Sequence, residues 1–165
     1  MKIEAAGIEK WYFRGRKDSN RFFAVQQTDL VLEPGQLTVL TGRSGSGKTT
    51  LLHMMGGLLM PEHGNILAGG RDLYSMDDTE LSEFRNQYFG MIPQGADLLP
   101  ELTVIENILL AHGIFQNRKD QAYEKTKEYA GTLLEQMNIL HLSEVRAKEL
   151  SGGERRRVCI ARAMA

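Results

Sequence analysis

The apolar positions of this chain change period along its length, and each change marks an element. Over residues 2–12 and 22–32 the apolar and β-prone residues Ile8, Trp11, Phe23, Val25, Leu30 and Leu32 partly alternate with polar ones. Period two is the signature of a strand covered on one face, so the two runs predict the strands of a hairpin. Their connection, residues 13–21, sets Arg14, Arg16, Lys17 and Arg21 against Asp18 and reads as a solvated loop. Pro34-Gly35 predicts a tight turn that delivers the chain into a short apolar strand, residues 37–41.

Beyond residue 48 the period lengthens. Residues 49–59 predict a buried helix with Met54 and Met55 as core filler, stopped by the segment around Pro61 and Gly64. A short strand, 65–68, closes at Gly69-Gly70, and Asp77-Asp78-Thr79 predicts the start of a helix running through Asn86, with Thr79 as its cap. Residues 88–92 predict a strand broken by Pro93. Two helices follow, 103–112 and 121–137, the second with Ala122, Ala130, Leu133, Leu134 and Met137 on one face. Residues 138–150 read as a polar linker, and 152–165 as a basic-faced helix that turns Val158, Ile160, Ala161 and Met164 inward. Strands that give way to helices around a glycine loop predict an α/β fold.

Composition narrows the function classes. With 165 residues, 42% of them hydrophobic, the chain suits one domain with a real core, and a formal net charge of -1 argues against a nucleic-acid-binding surface. The single Cys159 cannot form an intrachain disulfide, and the polar start Met1-Lys2-Ile3-Glu4 lacks a secretory pattern; both point to a reducing cytoplasmic compartment. No apolar run is long enough to span a bilayer, so a membrane link would run through a partner.

The candidate chemistry centres on residues 42–50. Gly42-Arg43-Ser44-Gly45-Ser46-Gly47-Lys48-Thr49 fits G-x-x-x-x-G-K-[ST], followed by Thr50 and an apolar helix. In that motif backbone N–H groups cradle phosphates, the lysine reaches the terminal phosphates and the hydroxyl of Thr49 ligates Mg²⁺. Glycine lets the main chain wrap the anion, and the following helix aims its positive end at it. The expected ligand is a nucleoside triphosphate.

A second motif, Leu150-Ser151-Gly152-Gly153-Glu154 followed by Arg155-Arg156-Arg157-Val158 and Ile160-Ala161-Arg162-Ala163, resembles the signature of ABC transporter ATP-binding subunits. The resemblance covers nearly the whole chain. It is nearest the lipoprotein-release and macrolide-export type through Gly57-Leu58 with Pro61 and Gly64, through residues 88–94, and through residues 98–107. It implies an ABC-type P-loop NTPase fold in a single ATP-binding domain: a β subdomain starting at 1–35, a nucleotide-binding core at 36–95, a helical subdomain at 96–150 and the signature helix at 151–165. It also implies ATP and Mg²⁺ as cofactors. Ser151, Gly152, Gly153 and Glu154 would form a second anion site that closes over the triphosphate of another subunit, giving a head-to-tail dimer. Gln94 matches the glutamine that senses Mg²⁺ and the attacking water beside the membrane partner, although Pro93 stands where many relatives have an aromatic residue. Tyr12 aligns with the aromatic that stacks on adenine, with Trp11 or Phe13 as alternatives after a one-residue slip.

The family also implies an apolar strand ending in aspartate, a catalytic glutamate and a switch histidine, all after the signature helix. Residues 155–165 contain none of them, and His53, His63, His112 and His141 all precede the signature. Two functions are therefore expected. One is the ATPase subunit of an exporter or lipoprotein-release system, peripheral to the inner face of the cell membrane through a permease. The other is a nucleotide-binding module that does not hydrolyse. A DNA-repair type of ABC ATPase is disfavoured by the absence of long heptads and of cysteine pairs between Gln94 and Ser151. The missing strand is expected to leave an unpaired apolar edge beside residues 37–41.

Overall fold

The computed structural model describes residues 1–13, 20–95, 98–115 and 121–165, with side chains of 111–115 and 121–122 left aside. The chain divides into two compact units, Met1–Gln87 and Tyr88–Ala165. The boundary falls inside the segment expected to form the nucleotide-binding core, and the signature helix lies in the same unit as the helical segment.

In the first unit the period-two runs form β1 (Ile3–Phe13) and β2 (Arg21–Leu32), which pair antiparallel. Residues 14–19 of their connection lie outside the described residues, and Arg21 opens β2. On its other edge β1 pairs with β3 (His63–Ala68), which in turn pairs with β4 (Arg71–Asp72), giving the order β2-β1-β3-β4. Register shifts between Ala5 and Trp11 bend the β1–β2 ladder, and directly opposed residues such as Tyr12 and Phe22, or Trp11 and Phe23, share a face. Ala5, Ile8, Val25, Ile66 and Ala68 from the sheet, together with Met54, Met55, Leu73, Leu81 and Phe84, are the buried apolar residues of this unit.

Helix α1 (Lys48–Met55) is shorter than the expected 49–59. It ends in a Schellman closure: Leu58 N–H donates to the His53 carbonyl at 2.8 Å and Gly57 N–H to the Met54 carbonyl at 3.1 Å, with Gly57 at φ 69°. The hydroxyl of Tyr74 completes the same end, donating to the Leu59 carbonyl at 2.6 Å and lying 2.7 Å from the Met54 carbonyl. Helix α2 (Asp78–Tyr88) is capped by Asp77 rather than Thr79. The Asp77 carboxylate accepts from Glu80 N–H at 2.8 Å and the Glu80 carboxylate from Asp77 N–H at 3.2 Å, a reciprocal box that Thr79, already inside the helix, has no means to make.

Two expected strands do not form. Residues 37–41 are assigned to no strand, with Leu37 at 92% and Val39 at 70% exposure. Tyr88 ends α2, and residues 89–92 are irregular. Both segments have strand composition, but a strand is a ladder of backbone pairs, and neither segment belongs to the sheet among the described residues, which is antiparallel throughout.

The second unit is helical. Helix α3 (Val104–Phe115) starts one residue later than expected, because Thr103 caps it through a reciprocal box with Glu106. It packs with α4 (Gln121–Gln136) and α5 (Gly152–Met164) around Val104, Ile108, Leu109, Ala130, Leu133, Leu134, Val158 and Ala161. The segment 138–150 is no mere polar linker: its short 3₁₀ turns, Leu140–Leu142 and Ala147–Glu149, carry Ile139, Ala147 and Leu150 into burial. On α5, Cys159 is buried and Met164 is 53% exposed, the reverse of the expected inward set at those two positions. Asn107, wholly buried, ties down the chain before α3: its amide donates to the carbonyls of Leu99, Leu102 and Thr103 and its oxygen accepts from Leu99 N–H at 2.8 Å.

Candidate functional site

The phosphate-loop motif occupies the turn that leads into α1. Gly42, Gly45 and Gly47 all have positive φ, and Gly47, at φ 86°, is the N-cap of α1. A Cβ at Gly47 would stand 1.9 Å from the Ala24 carbonyl, so only glycine lets the loop lie against β2 there. An N-cap without a side chain leaves the first N–H groups of α1 without an intrahelical partner, and Gly47 supplies no side-chain cap. Those donors and the positive end of the helix face the same loop.

Lys48 adds the mobile charge. Its Nζ donates to the carbonyls of Gly42 at 2.9 Å and Arg43 at 2.8 Å, with Ser46 Oγ at 3.4 Å. The ammonium is thus folded back onto its own loop, held by neutral acceptors that an anionic oxygen would outcompete. The loop opens on a cavity of about 500 Å³, a size suited to a small-molecule ligand. Phe23, Val25, Leu40 and Leu51 give it apolar walls, and Gly42, Gly45, Ser46, Gly47 and Lys48 give it a polar end. Glycine cradle, uncapped helix start and converging cation fit a phosphate chain. Mg²⁺ in such sites is held by one or two protein oxygens plus phosphate oxygens, a role open to the Thr49 hydroxyl in the first turn of α1.

Of the expected site residues, Gly42, Gly45, Ser46, Gly47 and Lys48 line this cavity together, and Arg43 bonds Lys48 through its carbonyl. Ser44, Thr49 and Thr50 belong to the same loop and helix start without lining it. Tyr12 is not among the lining residues. It is paired with Phe22, on the ladder face opposite to Trp11 and Phe23. Phe23 does line the cavity, and in the sequence two adjacent phenylalanines on a bulged strand give no hint of which one faces the loop.

The signature residues and Gln94 belong to the second unit. Gln94 is exposed, in a bend after α2. Ser151 is the N-cap of α5 and makes a full capping box with Glu154: Glu154 Oε2 accepts from Ser151 N–H and from Ser151 Oγ, each at 2.7 Å, while Glu154 N–H points at Ser151 Oγ at 3.4 Å. The bonds from Ser151 hold the Glu154 carboxyl below the usual carboxylate range, with smaller help from Arg157 and His141. Gly152 and Gly153 are exposed with open space around their α-carbons.

The loop and the fold around it define a P-loop nucleotide-binding protein. A family model described as ABC transporter matches residues 25–165, and the chain belongs to that family, in its ATP-binding part. Among its relatives is a lipoprotein-releasing system ATP-binding protein, LolD, of Myxococcus xanthus, 40% identical over 162 residues that make up 98% of this chain and 69% of the relative. The LolD of Shewanella frigidimarina is 43% identical over 162 residues, 98% of this chain and 65% of the relative. The chain therefore spans about two thirds of the length of these relatives. Among solved structures, the dimeric, post-hydrolysis state of the ATP-binding cassette MJ0796 bound to ADP and phosphate has a TM-score of 0.86 and 30% identity, over 99% of this chain and 69% of that one. The similarity agrees with the ABC-type P-loop NTPase fold expected from the two motifs. No helix among the described residues is long and apolar enough to cross a membrane.

Proposed function

We propose that this chain is the ATP-binding subunit of an export or lipoprotein-release transporter, in which Mg-ATP bound at the phosphate loop drives a membrane permease on the cytoplasmic side. The observation that carries the reading is the Lys48 ammonium, bonded to two carbonyls of a glycine loop at the uncapped start of α1 and beside a cavity of nucleotide size. Binding exchanges those carbonyls for phosphate oxygens, a charge-assisted bond replacing neutral ones. Mg²⁺, when bound, neutralises the phosphates and polarises the terminal one. Thr49 would hold it, and Gln94 would contact it and the attacking water.

Ser151, Gly152, Gly153 and Glu154 would meet the triphosphate held by a second ATP-binding subunit. Support comes from the exposure of Ser151, Gly152 and Gly153 at the start of α5 and from the dimeric cassettes among the structural relatives. The names of the lipoprotein-releasing relatives support a permease as the other partner.

Calorimetric titration with Mg-ATP tests the first step. Saturable binding that weakens by roughly 10- to 100-fold in Lys48→Ala is expected for loss of a charged hydrogen-bond donor. Equal affinity in the two proteins contradicts the assignment.

A further inference from the structure

Two opposite charges, one in each motif, stand without an ion-pair partner among the described residues. Arg43, the second residue of the phosphate-loop motif, is exposed. Its main chain is committed to the loop: the carbonyl accepts from Ser46 N–H at 3.2 Å and from Lys48 Nζ at 2.8 Å. Its guanidinium is not. The ion pairs among the described residues join Lys2 to Glu4 and Glu33, Lys10 to Glu62, and Arg146 and Lys148 to Glu101. Glu154, at the start of α5, belongs to none of them either. Both bonds that its carboxylate receives from Ser151 fall on Oε2, so Oε1 is left without a hydrogen bond among the described residues. Those bonds, with smaller help from Arg157 and His141, keep the carboxyl ionised at neutral pH.

We propose that Arg43 of one copy of this chain pairs with Glu154 of a second copy across each nucleotide site, so that the second subunit is the chain itself. The proposal rests on the head-to-tail reading above, in which residues 151–154 of one subunit meet the triphosphate held by the phosphate loop of the other. That reading brings a carboxylate against a polyanion, and like charges facing each other across an interface oppose association. A countercharge is therefore needed at that place. Arg43 supplies it from the loop that holds the polyanion, five residues before Lys48. Its planar fork suits a carboxylate oxygen, and Oε1 can take it while Oε2 keeps its two bonds to Ser151. A two-fold axis repeats the contact, since whatever Arg43 of one copy meets on the other is met in return. Each dimer thus makes the pair twice.

Charge reversal in mixed dimers tests the pair. Arg43→Glu alone and Glu154→Arg alone each set like charges together at both sites of a homodimer. A heterodimer of the two variants has one original pair and one reversed pair, so both sites are satisfied. In sedimentation equilibrium with saturating Mg-ATP, each variant alone should dimerise about tenfold more weakly than the parent chain, and the mixture should recover to within about threefold of it. A second measurement needs no reversed charge. Arg43→Cys on one tagged copy and Glu154→Cys on another should form a mixed disulfide on mild oxidation in Mg-ATP and not in its absence, the native Cys159 being buried. If Glu154→Arg does not fold, this crosslink decides. The pair is overturned, with the dimer reading left standing, if the parent chain dimerises but the mixture of folded variants does no better than either alone, or if the mixed disulfide does not form. If the parent chain shows no association that depends on Mg-ATP, the head-to-tail reading fails and the pair falls with it.

Discussion

Ser151 Oγ and Glu154 Oε2 stand 2.7 Å apart at the start of α5, so the hydroxyl proton of the signature serine is engaged by a carboxylate of its own helix. Removing the cap by Ser151→Ala should destabilise the chain by about 1 kcal/mol. The pH dependence follows from the direction of the shift. Glu154 has its carboxyl lowered in the folded state, so its contribution is present above the ordinary carboxylate range and is lost as pH falls through the folded value. Denaturant midpoints measured from pH 7 down to pH 3 should fall less steeply in Glu154→Gln than in the parent chain. Identical slopes would show that the box contributes nothing to acid stability.

Tyr74 closes the C-terminal end of α1 from a turn 15 to 20 residues away in sequence. Tyr74→Phe removes the hydroxyl and leaves the Leu59 carbonyl without that donor, an expected loss of about 1 kcal/mol in urea unfolding. Burial pushes the Tyr74 phenol up to about 12, only partly offset by its bond to the Leu59 carbonyl and by the Arg85 charge. A raised folded value means stability is intact below pH 10 and declines as pH climbs toward 12. The parent chain should lose stability over that window and Tyr74→Phe should lose less, by the same unfolding assay.

What the residue pattern disclosed was local. Alternation at Trp11, Phe23 and Val25 disclosed the hairpin; the 3.6-residue period of Ala130, Leu133 and Leu134 disclosed α4; and the spacing of Gly42, Gly47 and Lys48 disclosed the loop. Pairing was not legible. Leu37 and Val39 have strand character, but composition names no partner, and both are exposed in the fold. Caps were legible in principle, since Asp77 with Glu80 three residues on spells a capping box, a signal obscured by the adjacent Asp78 and Thr79. Phe23 was hidden for a different reason: the bulges between Ala5 and Trp11 fix which face of β2 meets the loop, and no one-dimensional pattern records a bulge.

The central claim is that Lys48 and the glycine loop bind the phosphates of Mg-ATP, and the thermal midpoint of the folded chain against ligand concentration tests it most directly. Ligand that binds only the folded state stabilises it by ~2.7 kcal/mol at about a hundredfold above Kd, and by ~1.4 kcal/mol more for each further decade. For a chain of this size that first increment raises the midpoint by roughly 5 to 10 °C. A rise of that order in the parent chain, absent in Lys48→Ala at the same concentrations, is the predicted result; equal shifts in both proteins, or none in either, would contradict the account.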